Sequence, residues 1–170
     1  QIGFGGVFVG SAPYLLFIPD ANRDDVPDGP PRILLDGFGY QDTHEMMNSM
    51  VWGPDGWLYG LQGVFVQSLV GSPGTPAPER VRMNAGVWRY HPTRREFELF
   101  AEGGGNLWGV DFDDRGQCLV TANVVPHLYH MSLGGRYERQ AGAHFNAHTY
   151  KDINAMADHL HSKAAYAGAM

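Results

Sequence analysis

Met50-Val51-Trp52-Gly53-Pro54-Asp55-Gly56-Trp57-Leu58-Tyr59-Gly60 reads as strand, tight turn, strand. The Gly-Pro-Asp-Gly centre supplies positive φ and a capping side chain, and its flanks are rich in aromatic and branched residues. About 60 residues later the phrase returns: Gly109-Val110-Asp111-Phe112, a turn at Asp113-Asp114-Arg115-Gly116, then Gln117-Cys118-Leu119-Val120-Thr121. A third hairpin lies between them, Gly86 to Tyr90 and Glu96 to Phe100 around His91-Pro92-Thr93-Arg94-Arg95. Common propeller repeats take roughly 40–50 residues per four-stranded blade. A longer period predicts a blade with an insertion, and Gln67 to Asn84, rich in Pro, Gly and Ser, reads as that insertion in the form of a surface loop.

The expected fold class is all-β, a β-propeller fragment of about three blades. Propellers close with roughly 4–8 blades, and three would leave sheet edges open. Residues 1–170 are therefore expected to be a partial propeller domain of a longer multidomain chain, with the remaining blades in that chain or in a complex. From Tyr150 to Ala165 the apolar residues Ile153, Met156, Ala157 and Leu160 fall at helical spacing, which predicts one short C-terminal helix.

Composition narrows the function. The chain has 23 Gly, 11 Pro and 12% aromatics, a pattern of short strands and tight turns rather than disorder. The formal net charge is −6 and no Lys/Arg stripe exists, so nucleic acid is not an expected partner. No apolar stretch approaches a bilayer span. The chain opens directly on strand-like Gly6-Val7-Phe8-Val9-Gly10, so the true start is expected upstream. Cys118 is alone, which excludes an internal disulfide or a CxxCH haem motif within these residues.

Two stretches carry candidate chemistry. Asp20-Ala21-Asn22-Arg23-Asp24-Asp25-Val26-Pro27-Asp28 sets oxygen donors at alternate positions. Asp20, Asn22, Asp24 and Asp28, with the Val26 carbonyl, are candidate Ca²⁺ ligands, since calcium takes six to eight hard oxygens. The EF-hand match is partial, because Asp25 stands where Gly is preferred and position 12 has no Glu. A solvated acidic turn is the alternative. The second stretch, Asp42-Thr43-His44-Glu45, precedes the first repeat strand. There His44 is a candidate general base and Asp42 its orienting partner. Gln62 follows the same hairpin, and Asn106, before Trp108, holds the equivalent place in the next. A hydrogen-bonded structural histidine is the alternative for His44, and blade packing for Trp52 and Trp108. His127, His130, His144, His148, His159 and His161 form a loosely spaced candidate for a transition-metal site, with neither an HExxH motif nor a Cys pair to define it. Arg136, Arg139 and Lys151 read as surface or inter-blade hydrogen-bond donors.

Several phrases together resemble the PVC-type membrane-bound dehydrogenase domain. They are residues 6–13, the acidic loop, Gln41 to Glu45, Trp52 to Tyr59, Asn84 to Pro92, Trp108 to Phe112, Pro126 to His130 and Arg139 to Asn146. That family is similar to the quinoprotein glucose and sorbosone dehydrogenases. The resemblance implies a six-bladed propeller and a periplasmic or extracytoplasmic location, with membrane association through segments not present here. It also implies oxidation of a sugar, aldose or polyol C–OH with pyrroloquinoline quinone and Ca²⁺, and a c-type haem only in an absent domain. His44 matches the base, Gln62 lies near a substrate-side glutamine, and Asn106 matches a quinone contact. Three departures stand out. Thr43 separates Asp42 from His44, Gly105 stands where the enzymes have a quinone-clamping Arg, and Leu107 stands where Pro is usual. A tricarboxylate cofactor without a bidentate Arg is weakly held. The competing expectation is a non-catalytic propeller that binds carbohydrate or protein, or an accessory subunit of a larger complex.

Overall fold

The computed structural model describes residues 1–123, 126–146 and 151–158. Among them the chain is all-β, with one short 3-10 turn at Ala77–Glu79. The strands are β1 (Ile2–Gly3), β2 (Gly6–Ser11), β3 (Tyr14–Pro19), β4 (Arg32–Leu35), β5 (Asn48–Trp52), β6 (Leu58–Gln62), β7 (Ser68–Val70), β8 (Val81–Met83), β9 (Gly86–His91), β10 (Glu96–Gly104), β11 (Asn106–Phe112), β12 (Cys118–Asn123), β13 (Leu128–Met131) and β14 (Gly135–Arg139). They make a four-stranded meander β1-β2-β3-β4, a five-stranded sheet β14-β10-β9-β6-β5, a three-stranded sheet β11-β12-β13 and the hairpin β7-β8. All pairings are antiparallel except β10 with β14. No sheet closes on itself.

The two repeated hairpins share one turn chemistry. In the first, Gly53 N–H donates to the Trp57 carbonyl at 2.8 Å and Gly56 N–H to the Gly53 carbonyl at 3.1 Å. In the second, Asp113 N–H donates to Gln117 O at 3.1 Å and Gly116 N–H to Asp113 O at 3.0 Å. Gly56 (φ 81°) and Gly116 (φ 76°) hold the left-handed position that a side chain resists. Leu58-Tyr59, just after Trp57, and Cys118-Leu119-Val120 thus begin the second strand of equivalent hairpins, in separate sheets.

The middle sheet is apolar on both faces. Leu58, Trp88 and Tyr90 meet Phe8, Leu15, Leu35 and Phe38 of the first sheet and its following segment. Tyr59, Leu61, Val87 and Phe100 meet Leu107, Cys118, Val120 and Tyr129 of the third. Period-2 alternation sends neighbouring residues to opposite cores, and each fully buried large side chain contributes about 1.5–3 kcal/mol. Gly60 faces the Trp88 indole so closely that a Cβ would meet the ring. On the far side of the first sheet, the cross-strand pairs Val7–Ile18, Val9–Leu16 and Leu16–Ile33 form a second apolar row, open enough that Ile33 is 45% exposed.

The first strands of the three sheets are laced together by side chains. The Trp52 indole N–H donates to Ile2 O at 2.9 Å, and Gln1 Nε2 to Met50 O at 2.7 Å, joining β5 to β1. Asn48 Nδ2 donates to Leu107 O at 3.1 Å, and the Ser49 hydroxyl to Trp108 O, joining β5 to β11.

Two expectations are corrected. Gln67 to Asn84 is no plain loop. It contains β7 and β8, with Val70 and Met83 fully buried, and the Arg80 guanidinium ties it to Asp36. Its Pro and Gly mark turns inside the insertion rather than the whole of it. The C-terminal helix is absent from residues 151–158, while Tyr150 and 159–165 lie outside the described residues. There the backbone instead serves strand edges: Ile153 N–H donates to Arg136 O at 2.8 Å, and Met156 N–H to Leu128 O at 2.8 Å. Ile153 and Met156 are 49% and 61% exposed, so the helically spaced stripe buries too little to hold a helix.

Cys118 lies in the core between the middle and third sheets, and burial pushes its thiol up to about 12. The thiolate is the reactive form. Alkylating reagents at neutral pH should therefore leave Cys118 unmodified in the folded chain and label it once denaturant is added. Mass spectrometry before and after unfolding checks this, and equal labelling in both would contradict the buried placement.

Candidate functional site

The segment from Asp36 to Met47 crosses from the first sheet to the entrance of β5. Its floor is fixed by Gly37 and Gly39, where a Cβ would strike the Leu69 and Gln67 carbonyls. Gln41 is pinned to Gln67, accepting from its N–H and donating to its carbonyl, both at 3.2 Å. The following turn carries the candidate base. Asp42 Oδ1 accepts the His44 backbone N–H at 2.9 Å and lies 3.4 Å from His44 Nδ1. The His44 side chain is 86% exposed, so the ring stands in solvent rather than in a core.

Glu45, next in sequence, turns inward and is buried. Its Oε2 accepts the Phe65 N–H at 2.5 Å. Burial pushes its carboxyl above the usual range, partly offset by that hydrogen bond. This anchor sets the Asp42–His44 turn against the end of the β5–β6 hairpin. The acid beside the pair was visible in the sequence, but its inward direction was not.

Gln62 sits elsewhere. It is fully buried, with Nε2 donating to Val66 O at 2.8 Å and Oε1 accepting the Ser68 hydroxyl. Its amide is spent on holding the insertion, not presented beside His44. Asn106 is half-buried at the start of β11, and its Oδ1 is enclosed without a hydrogen-bond partner among the described residues. Asn48 Oδ1 and Gln140 Oε1 are likewise enclosed and unpartnered. Gln140 fills the place beside Gly105, since a Cβ there would lie 2.6 Å from Gln140 Oε1. Trp108 is 48% exposed and so presents its indole to solvent, whereas Trp52 packs against Phe4 and Phe8.

A polar cluster from β14 onward was less legible. Arg139 Nη1 donates to Asn84 O at 3.1 Å and its Nε to Ala141 O at 3.1 Å. Burial lowers its pKa, opposed by the nearby carboxylates of Glu102, Asp152 and Glu45. Arg136 pairs with Asp152 at 2.6 Å. His144 Nε2 lies 3.2 Å from Asp152 Oδ2, and its Nδ1 3.7 Å from Glu102 Oε2. Arg136 and Arg139 are thus bridging donors, as their positions suggested.

Among the described residues no three His, Cys, Asp or Glu side chains are placed to hold a metal ion. His130 bonds Gln117 at 2.7 Å, away from His144, while His148, His159 and His161 lie outside the described residues. In the acidic loop the oxygens turn onto the loop's own backbone. Asp24 N–H lies 3.3 Å from both Asp20 Oδ1 and Asn22 Oδ1, Val26 N–H donates to Asp24 Oδ1 at 2.9 Å, and Ala21 N–H to Asp28 Oδ2 at 2.6 Å.

The chain belongs to the family described as a domain of unknown function, DUF7133, whose model matches residues 2–168. A search of curated proteins and a search of solved structures found no match. No helix among the described residues is long and apolar enough to cross a membrane.

Proposed function

We propose that the chain is part of a β-propeller and serves as an oxidoreductase-type module acting on the C–OH of a sugar, aldose or polyol. In this reading His44 takes the hydroxyl proton and Asp42 orients it. The observation that carries it is the lacing of β1, β5 and β11, the first strands of the three larger sheets. Sheets stacked face to face with their first strands in mutual contact are how blades surround an axis. In a propeller the entrances of β5 and β11 would lie at one end, and in this reading the turn bearing the exposed His44 and the unpartnered Asn106 amide oxygen would share a mouth.

The residues do not fit a tricarboxylate quinone in the manner the resemblance implies. Gln140 occupies the neighbourhood of Gly105, the adjacent Arg139 is engaged with the Asn84 and Ala141 carbonyls, and Gln62 is enclosed. This specific closure favours a second reading, a non-catalytic propeller that binds carbohydrate or a protein, or an accessory subunit. An extracytoplasmic location accompanies either reading. Dye-reduction assays with added quinone and calcium across a panel of aldoses and polyols decide between them. Saturable turnover supports the first, and its absence with retained saccharide or protein binding supports the second.

Ca²⁺ at Asp20, Asn22, Asp24, the Val26 carbonyl and Asp28 is proposed as a structural ion. The donor chemistry suits calcium, all oxygens within one loop, and the ion would replace the loop's internal hydrogen bonds. A ligand that binds only the folded state stabilises it by about 2.7 kcal/mol at a hundredfold excess over Kd. Calcium added to chelator-treated chain should therefore raise the thermal midpoint, and Asp24→Ala should abolish the rise. A thermal midpoint unchanged by calcium would leave the solvated turn.

A further inference from the structure

At the opposite end of the sheets from His44, a cavity of about 400 Å³ opens between the first and middle sheets. Phe4, Phe17 and Pro92 supply apolar wall, and Tyr90, Arg32 and Arg95 also line it. Three observations point to a ligand. Arg32 and Arg95 have no carboxylate partner among the described residues, and Arg32 stands over the Phe17 ring at 6.0 Å. Tyr90 is 1% exposed overall and lines the same cavity, within reach of the Arg95 charge. Arg95 also sits at φ 58°, closing the β9–β10 turn with its N–H on His91 O at 2.8 Å. Gly or Asn suits that position better, so an Arg there breaks a local rule at the rim of a cavity.

We propose that this cavity binds an amphiphilic carboxylate, its acyl or aryl body against the phenylalanines and its carboxylate between Arg32 and Arg95, with the Tyr90 hydroxyl as a further donor. Charge complementarity selects the anion. In a chain of net charge −6, two unpaired guanidiniums at one apolar cavity are a local excess of positive charge. The volume lies in the range of small-molecule sites, roughly 300–1,000 Å³. The site is separate from His44 and holds or fails independently of the proposed oxidoreductase activity.

The test is calorimetric titration of the full chain with decanoate and 3-phenylpropanoate, below micelle formation. Decanol and decyltrimethylammonium serve as controls of like apolar body. At least one carboxylate should bind saturably and more tightly than both controls, by about tenfold, the contribution of a charge-assisted pair. Arg95→Gly should weaken it by a similar factor while keeping or raising the thermal midpoint, because Gly relieves the turn. Tyr90→Phe should weaken it by a smaller factor. Equal affinity for decanol, an unchanged affinity in the Arg32→Gln/Arg95→Gly double variant, or no saturable binding of either carboxylate would each overturn the proposal.

Discussion

His44→Ala is expected to lower turnover on a sugar or polyol by about 10²–10⁴-fold, the usual contribution of a positioned base. The chain should stay folded. The His44 side chain is 86% exposed, so truncating it leaves no cavity and strips no buried partner. Asp42→Asn should cost less, since Asn keeps an oxygen able to accept the His44 backbone N–H while losing the charge beside the ring. The measurement is dye reduction under saturating substrate, with circular dichroism to verify the fold. His44→Ala turning over at the parent rate would remove the base. If the parent itself reduces no dye with any substrate, the binding reading takes over, and Gln140 beside Gly105 is the first place to look for the reason.

Trp88→Ala should be the most damaging core substitution, costing about 3–5 kcal/mol. Trp88 is fully buried, lies 5.3 Å from the Phe38 ring centroid, and donates its indole N–H to Leu61 O at 3.2 Å. It bridges the middle sheet to the segment that carries Asp42 and His44. The loss would leave a cavity over Gly60 and remove the indole hydrogen bond to the Leu61 carbonyl. Urea unfolding monitored by tryptophan fluorescence, with circular dichroism as a second probe, gives the difference in free energy. A loss below about 1 kcal/mol, within the range of ordinary surface changes, would mean that the two sheets are not packed as described.

Legibility in the sequence followed the range of the interactions. The turns at Gly53–Gly56 and Asp113–Gly116 were readable because glycine φ and aspartate capping are set within a few residues. The hairpins followed from them. The β7–β8 insertion was hidden because a Pro- and Gly-rich composition does not reveal that Val70 and Met83 reach the core. The helical spacing after Tyr150 misled for the opposite reason, as a few apolar residues match a helix period by chance when strand edges are available to bond. At the candidate site, Asp42 and His44 were readable as neighbours. Gln62 was not, because its position at the end of β6 fixes the height of the side chain but not the face. The Arg139–Gln140 stretch closes over Gly105 through a contact 35 residues away, formed when β14 joins β10 in parallel. Local pattern carries no trace of that pairing.

The second apolar row on the first sheet, from Val7 and Ile18 across to Ile33, has a practical consequence. A row of branched apolar side chains is adhesive wherever it is left uncovered. Any surface of similar shape lowers its free energy, a second copy of the same chain included. Were two copies to pair through this row, affinities and rates measured at a single stock concentration would mix the molecule with its self-association. Dilution series, rather than harsher buffers, are the way to see each alone.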